Sequence, residues 1–200
     1  MKTIATTLLV MFLVGCAVEV PPVAIIVPEP KHYDTRVVVL KADTATGTGL
    51  LFGDKVLTCN HCVMDKMKVI YADGRKGKVV KVLKRDAVND LALLEVTNSK
   101  GGMPFDIGLD PAPGTPVYSI GHPLGRQYVY TDGEVAIANI TRGSPKRTIL
   151  KMSVNFGCSG SPVFTKGDNE LIGIVQSMFP ASDYCVVVPA PVIVTFLFVK

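Results

Sequence analysis

The chain has 200 residues, 48% of them hydrophobic and 19% charged, with 21 basic and 17 acidic side chains and a net charge of +4. Those figures suit one folded domain or two small lobes and exclude a disordered chain. The basic excess is mild and scattered (Lys66, Lys68, Arg75, Lys76, Lys78, Lys81, Lys84, Arg85) without the interleaved aromatics that single-strand binding uses, so no nucleic-acid partner is expected.

Lys2 precedes an apolar stretch over residues 4–14. It is too short for a transmembrane helix, which needs roughly 20 residues, and has the grammar of a signal peptide. The stretch ends Leu13-Val14-Gly15-Cys16, which resembles the bacterial lipobox. That resemblance implies cleavage before Cys16, a diacylglycerol on its sulfur, and an exported lipoprotein anchored on the periplasmic or cell-surface side of a membrane. Several acyl chains together anchor stably where one does not. Ala17 stands where an aspartate would resemble an inner-membrane retention signal, so an outer membrane is preferred in a host that has one. Residues 16–34 follow, with prolines at 21, 22, 28 and 30, and read as a semi-extended tether. The folded domain is expected over residues 35–200.

From residue 35 short apolar runs rich in Val, Ile, Tyr and Thr alternate with turn signals. In order they are RVVVL, TGLLF, KVLTC, KVIYA, GKVVKVL, LALLEV, PVYSIG, YVYTDGEVAIANI, TILKMSV, SPVFT, LIGIVQSM and YCVVVP. Each has strand length, and ADG, TDG and KGDNE read as turns. A dozen short strands with little helix predicts an all-β protein built as a sandwich or a pair of barrels. The Gly/Pro-rich stretch at about 97–115 is the expected crossover between two lobes. One helix is expected at the end, in APVIVTFLFVK, and no internal repeat is evident.

Three segments hold the chemistry: TCNHCV with His61, NDLALLEV with Asp90, and NFGCSGSPVF with Ser159 inside Gly-x-Ser-Gly. A serine hydroxyl is a weak nucleophile and needs a base within hydrogen-bond reach and a third group orienting that base. Histidine suits the base because it titrates near neutrality. A buried aspartate fixes its tautomer and stabilises the imidazolium. Asp86 is an alternative acid, but Asp90 abuts the apolar run and fits better.

The order His, Asp, Ser is that of chymotrypsin. The segments Gly47-Thr48-Gly49, Leu57-Thr58-Cys59-Asn60-His61-Cys62-Val63, Asp90-Leu91-Ala92-Leu93-Leu94, Ile120-Gly121-His122-Pro123-Leu124-Gly125 and Val154-Asn155-Phe156-Gly157-Cys158-Ser159-Gly160-Ser161-Pro162 stand in order. Gly173-Ile174-Val175 and Val188-Pro189 follow. Together they resemble the trypsin-fold serine proteases of the HtrA/Deg type, from about residue 36 to 198. The resemblance implies two antiparallel β-barrels with a C-terminal helix. It implies a cleft holding His61, Asp90 and Ser159, and an oxyanion hole made by the N–H groups of Gly157 and Ser159. It implies a protein or peptide substrate and no cofactor; members of the family can carry a PDZ domain, but this sequence ends one helix after the last expected strand, so none is expected here. Ser153 and Val154 would floor the substrate pocket, with Gln176, Ser177 and Met178 as one wall. No aspartate stands there, so a small or medium apolar side chain is expected before the cleaved bond. Cys158 and Ser161 depart from the usual Asn and Gly of the family and bear on the shape of the loop, not on the reacting groups.

Cys59 and Cys62 bracket His61 and raise the question of a metal or redox site. A structural zinc wants four ligands, usually in two pairs. Cys158 and Cys185 stand singly, and His32 and His122 lack paired spacing. Thioredoxin-like chemistry wants a βαβ context. No metal is therefore expected. In many trypsin-fold enzymes a cysteine after the catalytic histidine joins a disulfide; Cys62 matches it, but Ala45 and Thr46 occupy the usual partner's place. Disulfides and free thiols both stay open for Cys59, Cys62, Cys158 and Cys185. His122 reads as a structural cap, and Tyr128 and Tyr130 as packing residues of a strand. The sequence thus predicts a serine endopeptidase working through an acyl-enzyme. Its alternative is a catalytically latent trypsin-fold lipoprotein that holds peptide in the cleft.

Overall fold

A computed structural model describes residues 35–102, 105–109, 111–140 and 145–199. The signal stretch, Cys16 and the tether lie outside the described residues. Twelve strands form among the described residues, one for each apolar run.

The first six are β1 (Val37–Lys41), β2 (Thr46–Phe52), β3 (Lys55–Cys59), β4 (Lys68–Tyr71), β5 (Lys76–Asp86) and β6 (Leu91–Val96). They close into an antiparallel barrel in the order β1-β2-β3-β6-β5-β4. Alternation drives the closure: successive side chains of a strand face opposite sides, and the apolar set here faces inward. Val38, Leu40, Leu51, Val56, Val69, Tyr71, Ala92 and Leu94 fill that interior.

The second six are β7 (Pro116–Gly121), β8 (Val129–Ile140), β9 (Arg147–Lys151), β10 (Pro162–Thr165), β11 (Leu171–Met178) and β12 (Tyr184–Pro189). They close in the order β10-β11-β12-β9-β8-β7 around Val117, Val135, Leu150, Met152, Val163, Ile172, Val175 and Val187. The link between the barrels runs from the end of β6 at Val96 to the start of β7 at Pro116.

A third apolar cluster lies between the barrels. Leu50, Leu57, Cys59 and Leu91 of the first barrel meet Phe164, Leu171, Ile174 and Val188 of the second, together with Ile193 and Phe196. The last two belong to helix α1 (Ala190–Phe198), whose sequence APVIVTFLF is rich in β-branched and aromatic residues. Such a helix is held by packing more than by propensity. Lys84 Nζ donates to the carbonyls of Phe196 (2.7 Å) and Val199 (2.9 Å), closing the helix's negative end with a cation.

One expected turn is not a turn. Thr131-Asp132-Gly133 runs through β8, paired with Ser119, Tyr118 and Val117 of β7. Its local turn preference is overridden by that pairing with β7; pairing with β9 starts one residue later, at Glu134. Gly133 suits the strand because a side chain there would meet the Lys151 carbonyl at 2.2 Å.

Leu94 is fully buried in the first barrel, whereas Val80 on β5 is 59% exposed. Leu94→Ala is expected to destabilise the fold by about 2–5 kcal/mol and Val80→Ala by less than about 0.5 kcal/mol. Urea unfolding of the two variants checks the contrast.

Candidate active site

His61 follows β3 in a single 3-10 turn, Asn60–Cys62. The turn is tied to the loop ahead of β6: Asn60 N–H donates to the Asp90 carbonyl at 3.0 Å. Asp90 takes the left-handed conformation, φ 61°, which Asp tolerates better than most residues. That backbone turns its carboxylate back onto His61. Oδ1 accepts the His61 N–H at 2.9 Å and Oδ2 lies 2.7 Å from Nδ1. An ionised carboxylate only accepts, so Nδ1 carries a proton and Nε2 is left to act as a base in the neutral ring. Asp86, the alternative acid, is used elsewhere: its oxygens accept the Asn89 N–H (2.9 Å) and Nδ2 (2.7 Å), closing a turn.

Ser159 sits on the turn between β9 and β10. Its carbonyl accepts the Thr48 N–H of β2 at 2.9 Å, and the Gly157 carbonyl accepts Thr48 Oγ1 at 2.8 Å. Gly157 (φ 98°) and Gly160 (φ 87°) are both left-handed, and neither has room for a Cβ. A Cβ would lie 2.3 Å from the His122 carbonyl at 157 and 2.0 Å from the Thr48 carbonyl at 160. Among the described residues no group accepts the N–H of Gly157 or of Ser159. Ser159 Oγ donates to the Gln176 carbonyl at 3.1 Å, and no hydrogen bond joins it to His61 among the described residues.

His61, Asp90 and Ser159 line one cavity of about 600 Å³ with Val154, Phe156, Gln176, Ser177, Met178 and Pro180. Ser153 is not part of it. Just past the end of β9, Val154 lines the cavity while Ser153 lines a depression shared with Asp132 and Asp183. A second cavity of about 550 Å³ continues past Ser159, lined by Gly47, Cys62, Met64, Met67 and Leu124. His61, Phe156 and Ser159 border both cavities, and Phe156 is 73% exposed at the rim. The arrangement is a continuous cleft with a hydroxyl at its middle.

The electrostatics follow from these contacts. Burial alone would raise the Asp90 carboxyl, but hydrogen bonds from the His61 ring and backbone outweigh it and hold Asp90 below its usual range. The hydrogen bond to Asp90, then that to Cys62, raises His61 to about 10, against burial. Cys62 is lowered to about 6 by its hydrogen bond to Cys59, opposed by burial and helped by His61. Cys59 is raised, so the first proton of the thiol pair leaves Cys62 and the second stays on Cys59.

All four described cysteines are free thiols. Sγ of Cys59, the His61 ring and the Asp90 carboxylate lie within 4.8 Å of one another, the one described trio that could ligate a metal. Those atoms are already engaged, His61 with Asp90 and Cys59 with the Val175 carbonyl at 3.2 Å. A tetrahedral site would also need a fourth ligand.

His122 is fully buried, and burial lowers it to about 4, so the ring is neutral. It does not cap by its side chain. Instead Nδ1 accepts the Tyr128 N–H at 3.0 Å, and the two rings meet edge to face. Tyr128 itself is left-handed (φ 56°) and lies just before β8, so the strand alternation expected for Tyr128 and Tyr130 holds for Tyr130 alone. The unusual Cys158 and Ser161 are both buried against Gly121, which leaves space for their sulfur and hydroxyl.

Three roles were not legible in the motifs. Thr48 is the clamp on the Ser159 turn. Gln176 is more than a pocket wall: its Nε2 donates to Asp90 Oδ2 at 3.1 Å. Arg147 donates through Nε to Gln176 Oε1 at 2.6 Å. In sequence Arg147 follows Lys146 beside Gly143 and Pro145 and looks like a solvated loop residue.

The family model for the trypsin-like peptidase domain matches residues 47–174, a span that includes His61, Asp90 and Ser159. No curated protein sequence matches the chain. Among solved structures it is similar to Rv3671c of M. tuberculosis H37Rv in two inactive forms. One, described as a protease, has 21% identity and a TM-score of 0.71 over 82% of this chain and 88% of that one. The other, a serine-to-alanine mutant, has 22% identity and a TM-score of 0.70 over 82% and 86%. The serine endoprotease from Yersinia pestis has 22% identity and a TM-score of 0.70 over 83% of this chain and 65% of its own. At these identities the likeness is one of fold.

The His61–Asp90 pair makes stability depend on pH. His61 is raised from 6.5, so its contribution is complete below about pH 6.5 and is lost as pH climbs through about 10. Asp90 is lowered from 3.8, so its contribution is present above about pH 3.8 and is lost as pH falls through the lowered value. Asp90→Asn is expected to flatten both slopes and to bring the His61 ring titration, followed by ¹⁵N NMR, down towards 6.5. Cys62→Val should lower it by less. A wild-type ring titrating near 6.5 would contradict this electrostatic account.

Proposed function

The chain belongs to the trypsin-like peptidase domain family, and from that premise we propose that it is a serine endopeptidase whose triad is His61, Asp90 and Ser159. The observation that carries the reading is the 2.7 Å contact of His61 Nδ1 with Asp90, with Ser159 in the same cleft. Rotation of Ser159 about its Cα–Cβ bond would release Oγ from the Gln176 carbonyl and turn it to His61 Nε2. His61 then takes the proton as Oγ attacks the peptide carbonyl. Asp90 stabilises the imidazolium without taking the proton. The N–H groups of Gly157 and Ser159, which have no acceptor among the described residues, would hold the oxyanion, each such donor being worth roughly 10²–10³ in rate. Collapse of the intermediate gives His61's proton to the leaving amine and leaves an acyl-enzyme on Oγ. Water, deprotonated by His61, attacks the ester and frees the acid and Ser159. No step calls on a cofactor.

The substrate is a polypeptide laid along the cleft. Val154, Ser177 and Met178 would receive the side chain before the cleaved bond. Among the described residues Asp90 is the one acidic residue lining that cavity, and it is engaged by His61, which favours a small or medium apolar side chain over Lys or Arg. The motifs favour the HtrA/Deg type within the family. Lipidation at Cys16 would hold the domain at a membrane, and Cys16→Ala is then expected to abolish incorporation of labelled palmitate in a bacterial host.

One observation favours a second reading, a latent or peptide-holding cleft: the resting Ser159 hydroxyl bonds to Gln176, not to His61. Fluorophosphonate labelling of the full chain separates the two. A peptidase is labelled, Ser159→Ala is not, and His61→Ala reacts slower by on the order of 10⁴–10⁶. The base must be neutral, so labelling should quicken as pH rises through the His61 titration. A folded wild type that resists labelling at every pH would favour the latent cleft.

A further inference from the structure

Gln176 stands at a break in the sheet. The register of β11 on β12 slips between Val175 and Ser177, leaving Gln176 at a bulge. A bulge re-aims the side chain it carries. Here the main-chain carbonyl of Gln176 receives the Ser159 hydroxyl, while its carboxamide reaches over to Asp90 in the other barrel. Nε2 donates to Oδ2, the same oxygen that holds His61 Nδ1.

A carboxamide has nearly the same shape either way round. Turned over, it would set its oxygen against the Asp90 carboxylate, two acceptors facing each other. Arg147 decides between the two orientations. Its guanidinium has donors and no acceptor, so the group facing its Nε at 2.6 Å must be the amide oxygen. The NH₂ then faces Asp90. Arg147 is itself held from both lobes. It opens β9 of the second barrel, and Nη1 donates to the Lys146 carbonyl at 2.8 Å. Nη2 reaches the carbonyls of Val88 (3.5 Å) and Asn89 (3.4 Å), in the first-barrel loop that delivers Asp90. A planar fork can span acceptors in three directions, where a lysine supplies a single point charge.

We propose that Arg147 is a positioning residue for the reaction: it locks the Gln176 carboxamide so that its NH₂ braces Asp90, and through Asp90 the base His61. Arg147 touches neither substrate nor reacting atoms. The kinetic consequence rests on the peptidase reading of His61, Asp90 and Ser159; the orientation of Gln176 does not.

The test uses the full chain as wild type, Arg147→Met, Arg147→Lys, Gln176→Met and the double Met variant, with two readouts. The first is ¹⁵N NMR of the Gln176 side-chain amide. Its two proton resonances are expected to lie away from free-carboxamide shifts and to exchange slowly with water in wild type, to move to free-carboxamide shifts with fast exchange in Arg147→Met, and to be partly restored in Arg147→Lys. The second is the saturation kinetics of a fluorophosphonate. Loss of one hydrogen bond to a charged group is expected to lower the maximal inactivation rate about tenfold in Arg147→Met. The half-saturating concentration should stay within about twofold, because the bound probe is not touched. Gln176→Met should lose about as much and the double variant no more than either. Unchanged Gln176 amide signals in Arg147→Met, or losses that add in full, would overturn the proposal. A wild type that is not labelled at all counts against the peptidase reading, and the amide signals then decide this inference alone. Should Arg147→Met fail to fold, Gln176→Glu keeps the contact to Arg147 and removes the donor facing Asp90; an undiminished inactivation rate in that variant would equally overturn it.

Discussion

The cleft depends on how closely β2 approaches the turn that carries Ser159. Thr48 grips that turn twice, by its N–H to the Ser159 carbonyl and by its hydroxyl to the Gly157 carbonyl. Its own carbonyl accepts Thr58 Oγ1 at 2.7 Å, so the gripping residue is held in turn. The approach is so tight that residue 160 can carry no side chain. Ser159 on one barrel and His61 on the other share one cleft only if the barrels keep register. The Thr48 bonds, with the apolar cluster between the barrels and α1 across it, maintain that register. Each such hydrogen bond contributes about 1 kcal/mol net, but their geometric effect is larger, because they act on both sides of Ser159.

Charge in the cleft is managed by the same economy of contacts. A half-buried carboxylate tends to hold its proton unless donors offset the burial. Asp90 has three such donors: the His61 backbone, the His61 ring and the Gln176 amide. Two of these come from the barrel that carries Asp90 and one comes from across the cleft. The carboxylate thus ties the lobes together while it strengthens the hold of the His61 ring on its proton. Asp90 makes these contacts from a left-handed backbone, which Asp tolerates better than most residues.

The paired cysteines around His61 take on separate roles. Cys59 is buried in the seam and donates to the Val175 carbonyl, one residue before Gln176, so its thiol acts as a small packing group with one hydrogen bond. Cys62 is half-buried, lines the cleft, and adds negative character beside the imidazole. C-x-x-C spacing is produced here by a strand end running into a 3-10 turn, which places a cysteine on each side of His61.

By itself the sequence determined the strands, their two groups, the closing helix and the chemistry-bearing segments. Those are local matters: short apolar runs such as RVVVL or LALLEV, the β-branched content, and the Gly, Asp and Asn turn signals between them. His61, Asp90 and Ser159 stand out as candidates because each sits in a short run whose residue types suit nucleophilic catalysis. Tertiary structure decided what depends on distance between barrels. TDG turned out to be strand because it pairs with β7, and Val154 lines the cavity while Ser153 does not. Thr48 in TGTG, Gln176 in IVQSM and Arg147 in PKRT look ordinary along the chain, and only the closing of two barrels against each other brings these three to Ser159 and Asp90. A hydrogen bond between residues 86 positions apart, such as Gln176 to Asp90, leaves no periodic or compositional trace in the chain. Its existence is a property of the packed fold.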